Sequence, residues 1–216
     1  NSRVLLGIPS ILCTDSYAYL NPELYVGYCT HVQMHKDCVR RDEHVFRSIN
    51  NLLDSQEVSE DDNDFIEDDI SIVSDVACPW CYIGKKRLEK ALDQFPAGTF
   101  SVQWHPFQLD PTIPMVGLPR DTYFVHKFGD SGRLEQIFQQ VTQVGEQEGN
   151  SFRFDQMPKA IQTLPLHQLL HQAGQEGFQD ALEERFFKAY FEEGLDLSQL
   201  EQVQTLLLEF GWDAPK

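Results

Sequence analysis

Two cysteines separated by two residues are the part of this chain best suited to chemistry. Cys78 and Cys81 enclose Pro79 and Trp80, and this spacing brings the second thiol close enough to close a disulfide on the first. An alternating, β-branched run over 69–75 precedes the pair, and apolar residues at helical spacing follow it. The start of a helix favours a thiolate, because unpaired N–H groups and the positive end of the helix dipole lie there. The pair is therefore predicted to exchange electrons.

The pair has two other interpretations. In the first it is half of a structural zinc site, and in the second the two cysteines are simply small buried side chains. A zinc site needs a second pair of ligands. The remaining cysteines are widely spaced and form no second pair: Cys13, Cys29 and Cys38. A metal cluster can be drawn from residues that match none of the common zinc spacings: Cys29, His31, His35 and Cys38. The strand–Cys-Pro-x-Cys–helix context favours redox chemistry over both interpretations.

Other polar residues near the pair are candidate site residues. His105 lies beside a proline at the end of a predicted strand and is expected to be structural. Asp75 is predicted to cap the helix rather than to perturb the thiols. His167 and His171 have a four-residue spacing that can bind metal, but no third ligand is apparent. No metal site is predicted.

Composition restricts the partners and the compartment. A formal net charge of −17 disfavours nucleic acid and anionic membrane surfaces as partners. No uninterrupted apolar run approaches the length of a membrane span. Five cysteines are too few for a disulfide-dense secreted scaffold, and their odd number leaves at least one thiol unpaired. The single dithiol, with no clear signal segment, favours the cytoplasm.

The chain is predicted to divide into three segments. Residues 1–53 show no sustained period and are expected to be a poorly ordered extension. Residues 54–69 are rich in Asp and Glu, as acidic linkers are. The folded domain is predicted over 70–216, with a strand–helix–strand unit over 70–110 and a helical region over 120–212.

Local signals define the elements of this α/β domain. A strand over Ile70–Ser74, a helix ending near Phe95 and a strand over 100–105 form a βαβ unit, so the strands should be parallel. Prolines then extend the chain, and four apolar stripes at helical spacing predict four helices, over 134–144, 166–173, 178–190 and 203–210. Ser131 is a plausible cap of the first of them. Ser198 with Glu201 is typical of a capping box at the start of the last.

Three stretches resemble a known family. The run from Val73 to Lys85 resembles the active-site segment of the FrnE-like branch of the DsbA family. These are thioredoxin-like dithiol–disulfide oxidoreductases, related to 2-hydroxychromene-2-carboxylate isomerases and kappa-class glutathione transferases. Residues 104–111 are similar to the family's second strand and its exit, and residues 163–194 to its helical insertion. The resemblance extends from Ile70 to about Trp212.

The resemblance implies a thioredoxin-like fold with an all-helical insertion and a redox pair at Cys78 and Cys81. Cys78 would be the exposed attacking thiol and Cys81 the buried resolving thiol. Pro79 and Trp80 would tune the thiolate pKa and the redox poise. No metal or organic cofactor is implied, and the substrate would be a protein or small-molecule thiol or disulfide. Isomerase and transferase relatives carry a serine where this chain has Cys78, so dithiol exchange is favoured over glutathione-dependent chemistry, which remains an alternative.

The resemblance also implies a later β-hairpin, with a cis-proline before it, and a last helix. No strand-like run follows Ser198, so the chain is expected to lack these C-terminal parts and to be truncated. A two-stranded remnant would leave a sheet edge uncovered. A truncated, non-catalytic partner-binding module is therefore a further alternative.

Overall fold

The structure of this chain is a computed structural model that describes residues 4–6, 68–129 and 131–212. The rest of the predicted extension, and the acidic linker up to residue 67, lie outside the described residues. Their predicted character and boundaries therefore stay predictions.

A parallel sheet and one helix form the first part of the domain. The strands are β1 (Val4–Leu6), β2 (Asp68–Ser74) and β3 (Phe100–Pro106), in the spatial order β1-β2-β3. Helix α1 (Pro79–Leu92) connects β2 to β3. Ile70 lies opposite Val102 and Ile72 opposite Trp104 in a parallel register. The predicted βαβ unit is confirmed.

Strand β1 was not predicted, because three residues cannot show a period. Val4 lies opposite Ile70 and Leu6 opposite Ile72, again in parallel. The strand conformation of β1 thus depends on pairing with β2, which is distant in the sequence. The strand propensity of the three β1 residues alone does not predict this pairing. The expectation of a two-stranded sheet was wrong, since β2 has a neighbour on both edges.

The outer edge of β3 is covered by a side chain. Gln179 Oε1 accepts a hydrogen bond from the Trp104 N–H at 3.1 Å, and Gln179 Nε2 donates to the Trp104 carbonyl at 3.0 Å. One amide side chain thus occupies both hydrogen-bonding positions that a neighbouring strand would fill at this residue.

The second part of the domain is helical. Its helices are α2 (Arg120–Phe128), α3 (Ser131–Glu148), α4 (Leu164–Glu176), α5 (Gln179–Phe191) and α6 (Leu200–Leu208), with a 3-10 helix at Phe154–Gln156. Two short strands, β4 (Leu118–Pro119) and β5 (Lys159–Ala160), pair antiparallel. Within the described ranges, no helix is long and apolar enough to cross a membrane.

Four of these helices, α3 to α6, match the four predicted apolar stripes. Helix α2 and the β4–β5 pair were not predicted. The predicted capping box was wrong: Gln199 is the N-cap of α6 and makes no side-chain capping bond. The reason is Asp196, whose carboxylate accepts bonds from the Ser198 hydroxyl at 2.6 Å and from the Ser198 N–H at 3.1 Å. Ser198 therefore belongs to the turn before the helix.

Helix α1 is held between two apolar clusters. Its side chains Tyr82 and Ile83 are buried in the core of the helical part, where the Tyr82 ring stacks on Phe187 with centroids 5.0 Å apart. Leu88, further along, packs with Ile70, Ile72 and Trp104 against the sheet. Burying each such side chain contributes about 1.5–3 kcal/mol. The start of α1 is therefore fixed by packing on the helical part.

A buried lysine also ties α1 to its neighbours. The Lys85 side chain is 1% exposed, and its Nζ lies 2.7 Å from Asp180 of α5 and 2.7 Å from Glu89. The indole N–H of Trp104 donates to the same Asp180 oxygen at 2.8 Å, and Lys85 lies over the Trp104 ring. A buried charge needs such partners, so α1, β3 and α5 are held together at this point.

Candidate active site

The two cysteines lie at the N-terminus of α1, as the sequence predicted. Cys78 is the N-cap residue, in an extended conformation with φ −104° and ψ 109°, and Pro79 is the first helical residue. The Cys81 N–H donates to the Cys78 carbonyl at 3.0 Å, in the first turn of the helix. Both thiols are free, so the structure shows the dithiol form.

The exposure of the two cysteines differs from what the family resemblance implied. Cys78 is 3% exposed, whereas Cys81 is only half-buried as a residue. Cys78 is covered because the turn from β2 to α1 is itself buried: Ser74, Asp75 and Val76 are 2%, 1% and 0% exposed. The attacking thiol assigned by resemblance therefore lies beneath the surface in this form.

The surroundings of the Cys81 thiol disfavour its ionisation. The hydrogen bond with Cys78, burial of the thiol and the neighbouring Cys78 charge raise the pKa of Cys81 well above its usual value. The Asp75 backbone and the Ser74 hydroxyl, which hydrogen-bond the Cys81 sulfur, lower it in part. Cys81 therefore keeps its proton at neutral pH in this dithiol form.

The residues between the cysteines, Pro79 and Trp80, are half-buried. Trp80 packs against the core of the helical part, and Cys81 does so beside it. Pro79 occupies the first helical position, where its missing N–H leaves no hydrogen bond unmade. Their predicted influence on the redox poise stays a prediction.

Asp75 does not cap α1, contrary to the prediction. Its Oδ1 accepts a hydrogen bond from the Ala77 N–H at 3.2 Å, and its Oδ2 accepts one from the Leu109 N–H at 2.7 Å. Asp75 precedes the N-cap residue Cys78 by three positions, and its carboxylate instead ties the active-site turn to the loop after β3. Its backbone carbonyl accepts from the Cys78 N–H at 2.9 Å.

His167 lies beside Asp75, and its role is structural. Its Nε2 lies 2.8 Å from the Phe107 carbonyl and 3.4 Å from Asp75 Oδ1. A carbonyl oxygen only accepts, so this bond requires the hydrogen on Nε2. His171 is exposed, one helical turn further along α4. No group of three ligand side chains that could hold a metal ion occurs among the described residues.

The remaining candidates from the sequence are His105 and the cluster of cysteines and histidines over 29–38. His105 lies on β3 opposite Val73, and it is exposed. The candidate cluster of cysteines and histidines over 29–38 lies outside the described residues.

Beneath Cys81, a serine and a glutamate form a buried pair that the sequence analysis missed. The Ser74 hydroxyl donates to Glu183 Oε1 at 2.9 Å, and the two residues are 2% and 1% exposed. Burial raises the pKa of Glu183 to about 7, although Ser74, His167 and Lys85 each lower it in part. An acidic residue within the apolar stripe of α5 was a usable signal of this site.

Two polar side chains of α2, Lys127 and Tyr123, form a hydrogen-bonded chain with Asp110 of the loop after β3. Lys127 Nζ donates to the Tyr123 hydroxyl at 2.7 Å, which donates to Asp110 Oδ2 at 2.8 Å. Burial lowers the pKa of Lys127, while Asp110, Asp75 and the charge of Cys78 raise it. Lys127 is therefore a cation within electrostatic range of Cys78.

A small cavity of about 60 Å³ opens between β3, α4 and α5. Its walls include Ser74, His105, His167, His171, Gln179 and Glu183. Its lining combines polar and apolar side chains, and it has room for water. Ser74 and Glu183 therefore line a space that can hold water.

The dithiol lies at the N-terminus of the helix that connects β2 to β3, and a helical layer follows β3. This arrangement defines a thioredoxin-like redox domain. Comparison with known families agrees: residues 69–216 match the DSBA-like thioredoxin domain, and the chain belongs to this family. The predicted family and the predicted α/β fold with a helical insertion are confirmed at this level.

Two solved structures are similar to the chain. A "probable DsbA oxidoreductase" from Streptomyces coelicolor is 32% identical with a TM-score of 0.61, and the match covers 68% of this chain and 64% of that one. A "putative protein disulfide isomerase" from Nitrosomonas europaea is 16% identical with a TM-score of 0.47, over 67% of this chain and 65% of that one. The chain therefore spans less than two thirds of either structure. No curated protein matches it.

Proposed function

We propose that this chain is a thiol–disulfide oxidoreductase, of the FrnE-like branch of its family, that exchanges Cys78–Cys81 with a substrate disulfide or dithiol. The observation that carries the proposal is the pair itself: two free thiols in the first turn of a helix, at its N-terminus, where the pKa of the Cys81 thiol is raised. A pair with unlike thiols can divide attack and resolution between them.

In the reducing direction, the Cys78 thiolate attacks one sulfur of a substrate disulfide. A mixed disulfide forms, and the other substrate sulfur leaves as a thiolate. Cys81 then attacks Cys78, which forms the Cys78–Cys81 bond and releases the second substrate thiolate. The helix N-terminus and Lys127 supply the positive surroundings of Cys78. The reverse sequence oxidises a substrate dithiol.

The substrate class follows from the same chemistry. Thiol exchange needs no metal or organic cofactor, so we propose that a protein or a small-molecule thiol or disulfide is the only partner required. Glutathione is one such small molecule.

A second candidate is a partner-binding module without catalysis. The burial of Cys78, at 3% exposure, favours it, because a substrate sulfur must displace covering atoms before it can meet the thiol. In that case the pair would stay reduced and inert in a folded protein.

A turnover assay separates the two candidates. The reduction of insulin by dithiothreitol would be followed with the wild type, Cys78→Ser and Cys81→Ser, after circular dichroism has shown that each is folded. Thiols would be counted before and after oxidation. The proposal predicts two thiols lost on oxidation and turnover that disappears in Cys78→Ser. A folded wild type with an inert pair would select the binding module. Turnover that needs glutathione and survives Cys78→Ser would instead support an isomerase or transferase.

A further inference from the structure

A segment of the chain is bound to the active-site turn, which lies between β2 and α1. Residues 107–113, the active-site strap, follow directly after β3. The Phe107 N–H donates to the Ser74 carbonyl at 2.8 Å, and the Leu109 N–H donates to Asp75 Oδ2 at 2.7 Å. The strap is therefore fastened to the turn that leads into the first cysteine.

The helical part of the domain holds the same strap through polar side chains. Gln162, between β5 and α4, donates through Nε2 to the Pro111 carbonyl at 3.1 Å and to the Ile113 carbonyl at 2.8 Å. Its Oε1 accepts a hydrogen bond from Gln108. Two further bonds hold the strap, from the Tyr123 hydroxyl to Asp110 and from His167 to the Phe107 carbonyl. Gln162 is thus a fastening point that lies outside the active-site turn.

Apolar packing holds the strap only at its far end. Of residues 107–113, Ile113 alone is buried, whereas Phe107 is 46% exposed. The turn over 74–76 is buried, and α1 is fixed by Tyr82 and Ile83 in the core. A segment with few buried apolar side chains opens at a lower free energy than the core around it. The strap is therefore easier to move than the turn or α1.

The dithiol chemistry requires that some element move. Cys78 is 3% exposed, and a thiolate must contact the sulfur that it attacks. We propose that the active-site strap is a movable cover, whose release from the turn makes Cys78 accessible to a substrate sulfur. The inference rests on the dithiol exchange proposed above, and it gives a buried attacking thiol a route to its substrate.

A strap that only stabilises the fold predicts something different. Loosening it would then lower the free energy of unfolding without changing how fast Cys78 reacts in the folded protein. If movement of the first turn of α1 uncovered Cys78 instead, its reactivity would not follow the strap either. The proposal is therefore tested by measuring the reactivity of Cys78 together with the opening of the strap.

The experiment compares these two quantities in the folded protein, in a Cys81→Ser background. Alkylation of Cys78 by iodoacetamide is followed by peptide mapping across about pH 6.5 to 9, a range that spans the titration of an ordinary thiol. Opening of the strap is measured as hydrogen exchange of the Phe107 and Leu109 amides. Gln162→Ala removes strap bonds without changing any charge.

For Gln162→Ala we expect alkylation of Cys78 to be roughly three- to tenfold faster than in the parent, because the net loss of one hydrogen bond shifts an opening equilibrium by about this factor. The Phe107 and Leu109 amides should exchange faster by the same factor. The inflection of the alkylation rate with pH should not move, since access to the thiol has changed and its acidity has not.

Gln202→Ala is the matched control. It makes the same change on α6, where Gln202 Oε1 accepts from the Asp196 N–H at 2.7 Å, outside the strap. Both rates should stay at the parent values in this control. Gln108→Ala removes the bond to Gln162 from the side of the strap, and it should change both rates in the same direction. It decides the question if Gln162→Ala does not fold.

Two results overturn the inference. If the Leu109 amide exchanges faster in the folded variants while Cys78 is alkylated at the parent rate, the strap opens without uncovering the thiol. If neither rate changes in the variants, the strap bonds do not control access. Failure of the proposed function is a separate outcome: alkylation would follow the strap as expected, but Cys78 would form no adduct with glutathione disulfide.

Discussion

Replacing Glu183 by glutamine should stabilise the protein at alkaline pH, and the gain should vanish in acid. Glu183 is 1% exposed, and its carboxyl has a pKa near 7 in the fold against 4.5 for an unburied glutamate. A raised pKa means that the folded state binds the proton more tightly than the unfolded state. The contribution to stability is therefore complete below about pH 4.5 and is lost as the pH rises through about 7.

The size of the effect follows from the two pKa values. The interval from 4.5 to about 7, at roughly 1.4 kcal/mol per pH unit, corresponds to about 3 kcal/mol of unfolding free energy. Glutamine has no charge to bury at any pH, so the variant escapes this loss. Between about pH 5 and pH 8.5, the unfolding free energy of Glu183→Gln relative to that of the wild type should therefore rise by roughly 2–3 kcal/mol.

Urea unfolding of the wild type, Glu183→Gln and the control Glu184→Gln at a series of pH values measures this directly. The difference in unfolding free energy between Glu183→Gln and the wild type should move in favour of the variant as the pH rises. Glu184→Gln should show no such trend centred near pH 7. A constant difference between Glu183→Gln and the wild type across the range would mean that Glu183 is not a buried acid of raised pKa, and the reasoning would fail.

Four further substitutions test the packing that positions the site, each by urea unfolding. Gly145→Ala should lower the free energy of unfolding by about 1–3 kcal/mol, because the added Cβ would overlap the Phe152 ring. At Gly84 no atom lies within 4 Å of an added Cβ, so Gly84→Ala should raise the free energy of unfolding by about 0.5–1 kcal/mol as a helical alanine. Equal effects of the two substitutions would contradict the packing of α3. Phe187→Ala, at 0% exposure, should lose about 3–5 kcal/mol, and a loss below about 1 kcal/mol would contradict its place in the core. Gln179→Ala should lower the free energy of unfolding by about 1–3 kcal/mol, because two hydrogen bonds to Trp104 are lost. It should also increase self-association, measured by light scattering, because the edge of β3 is then uncovered. A neutral change would show that the edge is protected in another way.

The elements that the sequence predicted are those with a local signal. The βαβ unit and the helices α3 to α6 each show a period of two or of 3.6 residues in their own residues. Helix α2 has no buried residue and is nine residues long, so Phe124 and Phe128, one turn apart, are too short a pattern to define a helical period. Strand β1 is defined by pairing with β2 rather than by its own three residues.

The candidate site divides in the same way. Cys78 and Cys81 were found because the motif and the strand–helix junction are contiguous in the sequence. The role of Asp75 was missed because one of its two partners, the Leu109 N–H, belongs to a distant loop. Glu183 meets Ser74 across 109 positions, although an acid within an apolar helical face did point to a buried, partnered carboxylate.

The central claim is that Cys78 attacks and Cys81 resolves, and trapping the intermediate tests it most directly. The reduced wild type, Cys81→Ser and Cys78→Ser would each be mixed with glutathione disulfide and examined by intact-mass measurement with peptide mapping. We predict a lasting adduct on Cys78 in Cys81→Ser, a Cys78–Cys81 disulfide in the wild type, and no comparable adduct in Cys78→Ser. An adduct that forms on Cys81 as fast as on Cys78, or no adduct on any folded chain, would contradict the account.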